Sequence, residues 1–458
     1  MGYESVCRGL LRLRIYFGGA SPNCGAGVRP YLIRRPALAH KNLTRFSRGS
    51  MSKASLIFKI IVVEFINKSV FRTSEHVSPS HPDKVMDVLA ESLYIRTLEL
   101  NPLERPFVRF ACDGSIKNNT VDLVGEMSHL LPRSEVKSVV TNTLEELGYG
   151  DRYLEDFDLT ARGERGWNIH QIFTKQSPCI AAGVDGNSER TFGAGDIGIM
   201  NGYAVADTPD RTFAPHWMAR KILRKFYRMW TLGECSGQLR PDMKCLVTMR
   251  YEKNRPVEVT SVVLCISHSV DFVPEPSLIR ALRSEVEYLS NYTHTKYTSC
   301  SYYINPTGSF VNYGPLADSG QVGRKIVCDQ FGGAAPVGGG NLNAKDFTKV
   351  DRSAVYLARA MANQIVRDGL AHEAVVQLAY CIGKPRAFSV NVMTDATSRR
   401  KCKMIDSAVS SVDTSVEAIC DKFDLFHLAK EVQFECAAWG HIGVSGVHRY
   451  PWEDVSLW

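Results

Sequence analysis

Apolar residues return at helical spacing in several stretches of the chain, and each stretch predicts a helix. Val85, Leu89 and Leu93 form one such stripe. Pro82 suits the first position of this helix, and His81 suits its N-cap. Other helices are predicted over residues 134–147, 215–230, 277–289 and 414–421, and over a stretch that Asp351 caps and Gly369 ends.

Alternating apolar and polar residues predict strands between these helices. A hairpin is expected from residues 107–111 and 121–127, with residues 114–120 as its loop, and a second from 239–251 and 257–267. Residues 374–382 and 387–393 give two more strands, while 193–203 reads as a tight glycine turn. Hairpins followed by helices favour an α+β fold. The pattern recurs over 71–181, 193–312 and 314–453, which suggests three domains of mixed or antiparallel sheet with helices on one face.

Charge is concentrated at the start of the chain. The whole sequence carries a net charge of +7, but residues 1–50 contain nine Lys or Arg and one acid, Glu4, so the remainder is close to neutral. A near-neutral body argues against a general nucleic-acid binder. Residues 1–70 are therefore treated as a basic extension. It is either an organellar transit peptide or an upstream stretch before a true start at Met51.

The cysteine pattern and the length of the apolar runs indicate the cellular compartment of the protein. The thirteen cysteines include no C-x-x-C pair, which fits a reducing environment, and no run reaches membrane-spanning length. We expect a cytoplasmic protein without a membrane partner, or a protein of an organelle matrix if the extension is a transit peptide.

A glycine-rich, basic stretch runs from residue 318 to 352. Seven glycines fall between Gly320 and Gly340, and a helix follows. Such a loop can bring backbone N–H groups and cations close to a polyphosphate; the alternative is a surface loop with a solvated rim. No Walker A pattern is present. The cations of the stretch are Arg324, Lys325, Lys345, Lys349 and Arg352.

A second candidate anion site lies at the N-terminus of the first helix, where His81, Asp83 and Lys84 cluster. Asp83 either complements the helix dipole or holds Mg²⁺. Residues 175–185, K-Q-S-P-C-I-A-A-G-V-D, have the small residues and turn formers of a mobile loop.

Five motifs in fixed order carry a resemblance to a known family. They are H-P-D-K at His81, G-A-G-D at Gly193, L-R-P-D-x-K at Leu239, G-R-K-I at Gly323 with K-V-D-R-S-A at Lys349, and Y-P-W-E at Tyr450. As a set they resemble bacterial-type S-adenosylmethionine synthetase (methionine adenosyltransferase) from about Phe71 to Glu453. The resemblance implies that the sulfur of methionine attacks C5′ of ATP. The released triphosphate is then cut to pyrophosphate and phosphate.

The resemblance also implies roles for individual residues. The ATP contacts it implies are His81, Asp242, Lys244, Ser309, Phe310, Asp318, Arg324, Lys325, Asn341 and Lys345. Those implied in catalysis are His81, Lys244, Arg324, Lys325 and Lys345. The implied methionine contacts are Glu126, Gln176, Asp318 and Lys349. Two Mg²⁺ per site would be held through Asp83 and Asp351, and K⁺ through Asp113. The family further implies a homodimer or homotetramer with the active site at the subunit interface.

The sequence departs from the family pattern around the implied ATP site. Asp113 stands where the family has glutamate, Ser309 where it has Arg or Lys, and Asn341 opens N-L-N-A-K in place of A-F-S-G-K. Cys179 replaces an aspartate of the mobile loop. We expect an active enzyme that uses ATP and methionine. The alternatives are a weakly active or non-catalytic relative that acts as a regulatory subunit, and an unrelated polyphosphate-binding enzyme.

Overall fold

The computed structural model describes residues 69–161, 163–176, 192–274, 277–443 and 450–458. The helices are α1 Pro82–Leu100, α2 Arg133–Glu146, α3 Asp151–Asp156, α4 Ala214–Thr231, α5 Ser277–Thr293, α6 Gly314–Ala317, α7 Ile326–Asp329, α8 Val350–Arg367, α9 Arg399–Ser410, α10 Val416–Lys422, α11 Lys430–Trp439 and α12 Pro451–Asp454. The strands are β1 Val70–Val77, β2 Phe110–Lys117, β3 Thr120–Met127, β4 Thr160–Ala161, β5 Glu164–Arg165, β6 Asn168–Thr174, β7 Gly198–Val205, β8 Leu239–Glu252, β9 Arg255–His268, β10 Ser301–Ile304, β11 Gly320–Gln321, β12 Glu373–Tyr380 and β13 Ser389–Thr394. Short 3₁₀ turns occupy Arg105–Phe107, Cys235–Gly237 and Leu425–His427.

Three sheets organise the described residues. Sheet 1 has the order β1-β8-β9-β10, sheet 2 has β11-β2-β3-β6, and sheet 3 has β13-β12-β7; β4 and β5 form a separate pair. Neighbouring strands are antiparallel except β9 with β10 and β3 with β6, which are parallel. The α+β fold with mixed and antiparallel sheets is therefore confirmed.

Each main sheet takes a strand from a distant part of the chain. In sheet 1, Val77 of β1 lies opposite Lys244 of β8. In sheet 3, β7 pairs with β12, and in sheet 2, β11 pairs with β2. Because β11 belongs to the glycine-rich stretch, this exchange carries Arg324 and Lys325 to the sheet that contains the first hairpin.

The first hairpin differs from its prediction. Phe107 lies in a 3₁₀ turn, and the strands continue through the expected loop as far as Lys117 and Thr120. Asn118 adopts φ of 50°, so the reversal takes only two residues. Ile116 is buried opposite Val121, and this apolar pair extends the alternation that the polar residues around it concealed.

The predicted glycine turn over 193–203 is also corrected, because β7 begins at Gly198. Gly202 lies within this strand, where a Cβ atom would approach the carbonyl carbon of Ala358 to 2.0 Å. The glycine therefore allows α8 to pack directly on the sheet rather than forming a turn.

The predicted helices over 134–147, 215–230, 277–289 and 414–421 are confirmed as α2, α4, α5 and α10, with small shifts at their ends. One cap prediction was wrong: the N-cap of α8 is Lys349, and Asp351 lies in the first turn. The carboxylate of Asp351 bonds Lys345 instead of the helix N–H groups. Gly369 has φ of 65° just beyond the helix, as its predicted stop requires.

Two longer helices escaped prediction, α9 and α11, as did the four short helices α3, α6, α7 and α12. In α9 only Ile405 and Val409 are buried, so its apolar stripe is too short to stand out in the sequence. Within the described part of the chain, no helix is both long and apolar enough to cross a membrane, and its cysteines form no disulfide.

Candidate active site

The N-terminus of α1 is the first component of the site. His81 is its N-cap, and His81 Nδ1 accepts a hydrogen bond of 3.2 Å from the backbone N–H of Asp83, while Pro82 occupies the first turn. Gly320 of β11 crosses this turn so closely that a Cβ atom would lie 2.0 Å from the carbonyl oxygen of Pro82. Only glycine allows the glycine-rich stretch to reach the helix terminus at this point.

The carboxylate of Asp83 joins this terminus to the basic loop. Asp83 is buried and accepts a hydrogen bond of 3.0 Å from Gln321 N–H. Lys325 Nζ lies 2.5 Å from the other oxygen, Oδ2, and Arg324 Nη1 lies 3.6 Å from Oδ1. Arg324 keeps 53% of its side chain exposed, so its guanidinium remains accessible to a ligand.

His81 is neutral at neutral pH. Burial lowers its pKa to about 4, and the positive charge of Lys325 adds to the effect. Because Nδ1 accepts the Asp83 N–H, the proton of the neutral ring resides on Nε2. His81 can therefore donate a hydrogen bond through Nε2 to an oxygen atom placed at the helix terminus.

Strand β8 supplies Asp242 and Lys244 beside this terminus. Burial raises the pKa of Asp242 to about 7, against the hydrogen bond of 2.9 Å that Gly314 N–H donates and with help from the charge of Asp318. Lys244 Nζ lies 2.8 Å from Glu75, and both side chains are about half exposed. The charges of Lys244 and Asp318 also act on His81.

A second cluster forms where the glycine-rich stretch enters α8. Lys345 Nζ lies 2.8 Å from Asp351, and Gly340 passes so close that a Cβ atom would meet this carboxyl group at 2.2 Å. Lys349 pairs with Asp346, whose carboxylate also accepts N–H groups from the backbone.

The second cluster borders the exposed face of sheet 2. Lys345 forms a β-bridge with Ala111, and Ala111 pairs with Glu126 of β3. Asp113 follows two residues after Ala111 and is exposed on the same face as Glu126. This face thus carries the predicted methionine contact and the predicted K⁺ ligand.

The remaining predicted residues lie around these clusters. Ser309 is exposed, and Phe310 is partly buried with its N–H bonded to His268 Nε2 at 3.1 Å. Asn341 hydrogen-bonds both backbone groups of Asn343. Gln176 is half-buried at the end of a described range. Most of the predicted mobile loop, with Cys179, lies outside the described residues.

The predicted residues therefore form two sets. The first surrounds the N-terminus of α1 and consists of His81, Asp83, Asp242, Lys244, Asp318, Arg324 and Lys325. The second lies beside sheet 2 and consists of Lys345, Lys349, Asp351, Glu126 and Asp113. Within the described ranges, no hydrogen bond or ion pair joins one set to the other.

Comparison with known protein families identifies the family of the chain. Models of the N-terminal, central and C-terminal domains of S-adenosylmethionine synthetase match residues 69–178, 191–310 and 313–454. The chain belongs to the S-adenosylmethionine synthetase family. The predicted resemblance is confirmed, and the chain is an enzyme of the transferase class that takes part in S-adenosylmethionine synthesis.

Two bacterial relatives are similar in sequence to this chain over most of their length. The S-adenosylmethionine synthase of Rhodospirillum centenum is 36% identical over 394 residues, which cover 84% of this chain and 96% of the relative. The S-adenosylmethionine synthase of Paracoccus denitrificans is 36% identical over 407 residues, with the same coverage. The domain matches span the motifs and both sets of site residues.

Synthetases of this family use metal ions, and the carboxylates present fit such a group. The described residues contain no cluster of three or more His, Cys, Asp or Glu that could hold a metal. Asp83 and Asp351 are instead single carboxylates, each beside a lysine. Mg²⁺ is commonly held by one or two carboxylates together with substrate phosphates, so single carboxylates beside phosphate-binding cations suit it.

One predicted member of the anion cluster at the N-terminus of α1 is corrected. Lys84 does not face an anion at the helix terminus, because it is fully buried with Nζ 2.5 Å from Asp329 and 3.1 Å from Asp87. Burial disfavours its charge, but these two carboxylates outweigh that effect and raise the pKa of Lys84. Asp87, three residues along the helix, was the only sequence signal for this arrangement.

Proposed function

We propose that the chain forms S-adenosylmethionine from ATP and L-methionine by attack of the methionine sulfur on C5′ of ATP. The released triphosphate is then hydrolysed to pyrophosphate and phosphate before release. A neutral thioether is already nucleophilic, so the first step needs positioning and relief of charge on the leaving group rather than a general base.

The observation that carries this proposal is the set of groups at the N-terminus of α1. Neutral His81 offers Nε2–H as a hydrogen-bond donor, and Lys325 and the accessible guanidinium of Arg324 lie around the Asp83 carboxylate. Donors fixed before the reaction stabilise developing negative charge most effectively. His81 would donate to the leaving triphosphate oxygen, while Arg324 and Lys325 would neutralise the triphosphate.

Substrate contacts are proposed on both sets of residues. Asp242, Lys244 and Asp318 support an ATP site because they lie beside the α1 terminus. The other proposed ATP contacts are Ser309, Phe310, Asn341 and Lys345. The proposed methionine contacts are Glu126, Gln176, Asp318 and Lys349. The bridge from Lys345 through Ala111 to Glu126 supports a methionine site next to the triphosphate site.

Metal ions complete the proposed site. Asp83 and Asp351 would hold two Mg²⁺, and Asp113 would contribute to K⁺ binding. Bound Mg²⁺ would supply positive charge to the triphosphate oxygens. Asp83 and Asp351 would then share their carboxylates between the metal and the neighbouring lysines.

We further propose a homodimer or homotetramer with the active site between subunits. Val124 and Ile172 are 45% and 68% exposed on the face of sheet 2 that carries Glu126 and Asp113. Exposed apolar side chains beside functional carboxylates are typical of a surface that a partner subunit covers. The domain boundaries 71–181, 193–312 and 314–453 and a cytoplasmic location are also proposals, and the family matches and bacterial relatives support them.

The experiment is incubation with ATP, L-methionine, Mg²⁺ and K⁺, followed by mass spectrometry for the sulfonium product. Lys325→Ala should lower turnover about 100-fold or more, because one preorganised donor is lost. Arg96→Ala is the matched control, since Arg96 lies on the surface of α1, where it bonds Glu99 of the same helix and Glu135 of α2. Absence of product from the wild type would refute the proposed activity.

A further inference from the structure

Three acidic residues recur every fourth position along α1, at Asp83, Asp87 and Glu91. Their exposed fractions are 2%, 0% and 1%, so all three carboxylates are removed from water. A row of buried acids on one helix is costly unless each charge is compensated. The partners that compensate them therefore show what the row does.

Each member of this acidic row accepts a backbone N–H from a loop of the proposed site. Asp83 accepts from Gln321 at 3.0 Å, and Asp87 accepts from Gly323 at 2.9 Å. Glu91 accepts from Ala344 at 2.7 Å. Gly323 and Ala344 directly precede Arg324 and Lys345, and Gln321 lies three residues before Arg324. Arg324, Lys345 and the adjacent Lys325 are the cations proposed to neutralise the triphosphate.

Buried cations balance the charges of Asp87 and Glu91. Lys84 lies 3.1 Å from Asp87. Arg352 binds Glu91 through two nitrogens at 2.7 and 3.1 Å, and its Nη1 also donates to the carbonyl oxygen of Lys345 at 2.9 Å. Glu91 therefore fixes the backbone on both sides of the peptide bond between residues 344 and 345.

A directed chain of hydrogen bonds links these two cations. Arg352 Nε donates to Tyr356 Oη, and Tyr356 Oη lies 2.8 Å from His441 Nδ1. Burial lowers the pKa of His441 well below its usual value, so the ring is neutral and its Nε2–H donates to Asn343 at 2.7 Å. Asn343 Nδ2 donates in turn to Asp329, the partner of Lys84.

This network forms a closed loop that leaves α1 at Glu91 and returns at Asp87. A network that served stability alone could end on any backbone group. Here all three bonds of the acidic row end within three residues of a proposed triphosphate cation. The pattern favours a role in holding two separate loops at one fixed distance, since a cation displaced by about 1 Å can cost on the order of 100-fold in rate.

We propose that Asp87 and Glu91 are positioning residues that fix the backbone carrying Arg324, Lys325 and Lys345 for triphosphate binding. The inference rests on the proposed function, because it assigns the triphosphate as the ligand of these cations. Asp87 acts on the loop of Gly323, and Glu91 acts on the loop of Lys345. Neither carboxylate touches the substrate.

The test is calorimetric titration of the full chain with inorganic tripolyphosphate in the presence of Mg²⁺, which requires no turnover. Asp87→Ala removes the acceptor for Gly323, and Glu91→Gln breaks the two-point contact with Arg352 while preserving size. Thr97→Val is the matched control, because Thr97 is fully buried on the same helix and its hydroxyl donates to the carbonyl oxygen of Leu93 within that helix. Calorimetry reports the dissociation constant and the number of competent sites separately.

Asp87→Ala and Glu91→Gln should each raise the dissociation constant about tenfold or more, as expected for loss of a charge-assisted hydrogen bond. Thr97→Val should leave it unchanged. If a variant lost only competent sites and kept the wild-type dissociation constant, its residue would be structural and the inference would be overturned. If Asp87→Ala failed to fold, Glu91→Gln alone would decide. If the wild type did not bind tripolyphosphate, the proposed function would fail instead.

Discussion

Replacing Asp242 with asparagine should stabilise the folded protein above neutral pH. The folded carboxyl has a pKa of about 7, against an ordinary value of 3.8. Because the folded state holds this proton more tightly than the unfolded chain does, ionisation of Asp242 costs folding free energy. That cost is absent below pH 3.8, grows as the pH rises to about 7, and is complete above it. With 1.36 kcal/mol for each pH unit, the full cost is about 4 kcal/mol.

Asparagine isolates the charge because its amide oxygen can still accept the Gly314 N–H. Thermal unfolding of wild type and Asp242→Asn at one fixed protein concentration, from about pH 5 to about pH 8, measures the effect. The difference in unfolding midpoint temperature between Asp242→Asn and the wild type should increase up to about pH 7 and then stay constant.

Asp413→Asn is the control, since the backbone N–H of Ser415 holds the pKa of Asp413 below its usual value. Asp413 is therefore ionised throughout this range, and the gap between this variant and the wild type should not vary with pH. If the difference in unfolding midpoint between Asp242→Asn and the wild type were also independent of pH, the assignment of the cost to Asp242 would be refuted. Asp242→Asn should also bind ATP less tightly if Asp242 contacts the nucleotide. The ionised carboxylate would then favour ATP binding while lowering the stability of the fold.

Four further outcomes are expected. Lys345→Ala should lower turnover about 100-fold or more in a folded protein, because a donor to the triphosphate is lost; near-normal turnover would contradict its role. Asp113→Glu should strengthen activation by K⁺, measured as rate against K⁺ at constant ionic strength, and superimposable curves would remove Asp113 from the K⁺ site. Activity should fall on dilution, whereas a fully active monomer in sedimentation would exclude a shared site. Glu453→Ala should destabilise by about 3–5 kcal/mol in denaturant unfolding, because it leaves Arg359 buried without its carboxylate; an unchanged midpoint would contradict this.

Local signals in the sequence predicted local structure well. The cap at His81 and Pro82 depends only on neighbouring residues, and the structure confirms it. The stop at Gly369 is a similar case. The first hairpin was misread because its polar residues are the exposed half of two alternating strands, a pattern that resembles a loop when only one or two apolar residues mark the buried face.

Long-range partners could not be predicted. Apart from Asp87 three residues along the helix, nothing in the sequence distinguishes Lys84 from a lysine that faces solvent, and its buried partner Asp329 is 245 positions away. The pairing of β1 with β8 likewise depends on a register that only the folded chain specifies. The motifs supplied the members of the site, but their division into two sets follows from strand exchange between the sheets.

That strand exchange also bears on how the chain can fold during synthesis. When β1 leaves the ribosome, its partner β8 is still to be made, since Val77 pairs with Lys244. At roughly 5–20 residues per second, the intervening stretch of about 170 residues takes on the order of ten to thirty seconds. Strand β7 likewise stays unpaired until its partner β12 has been synthesised. Throughout these intervals an unpaired strand is available to other nascent chains, so slower translation would prolong the exposure to aggregation and to chaperones.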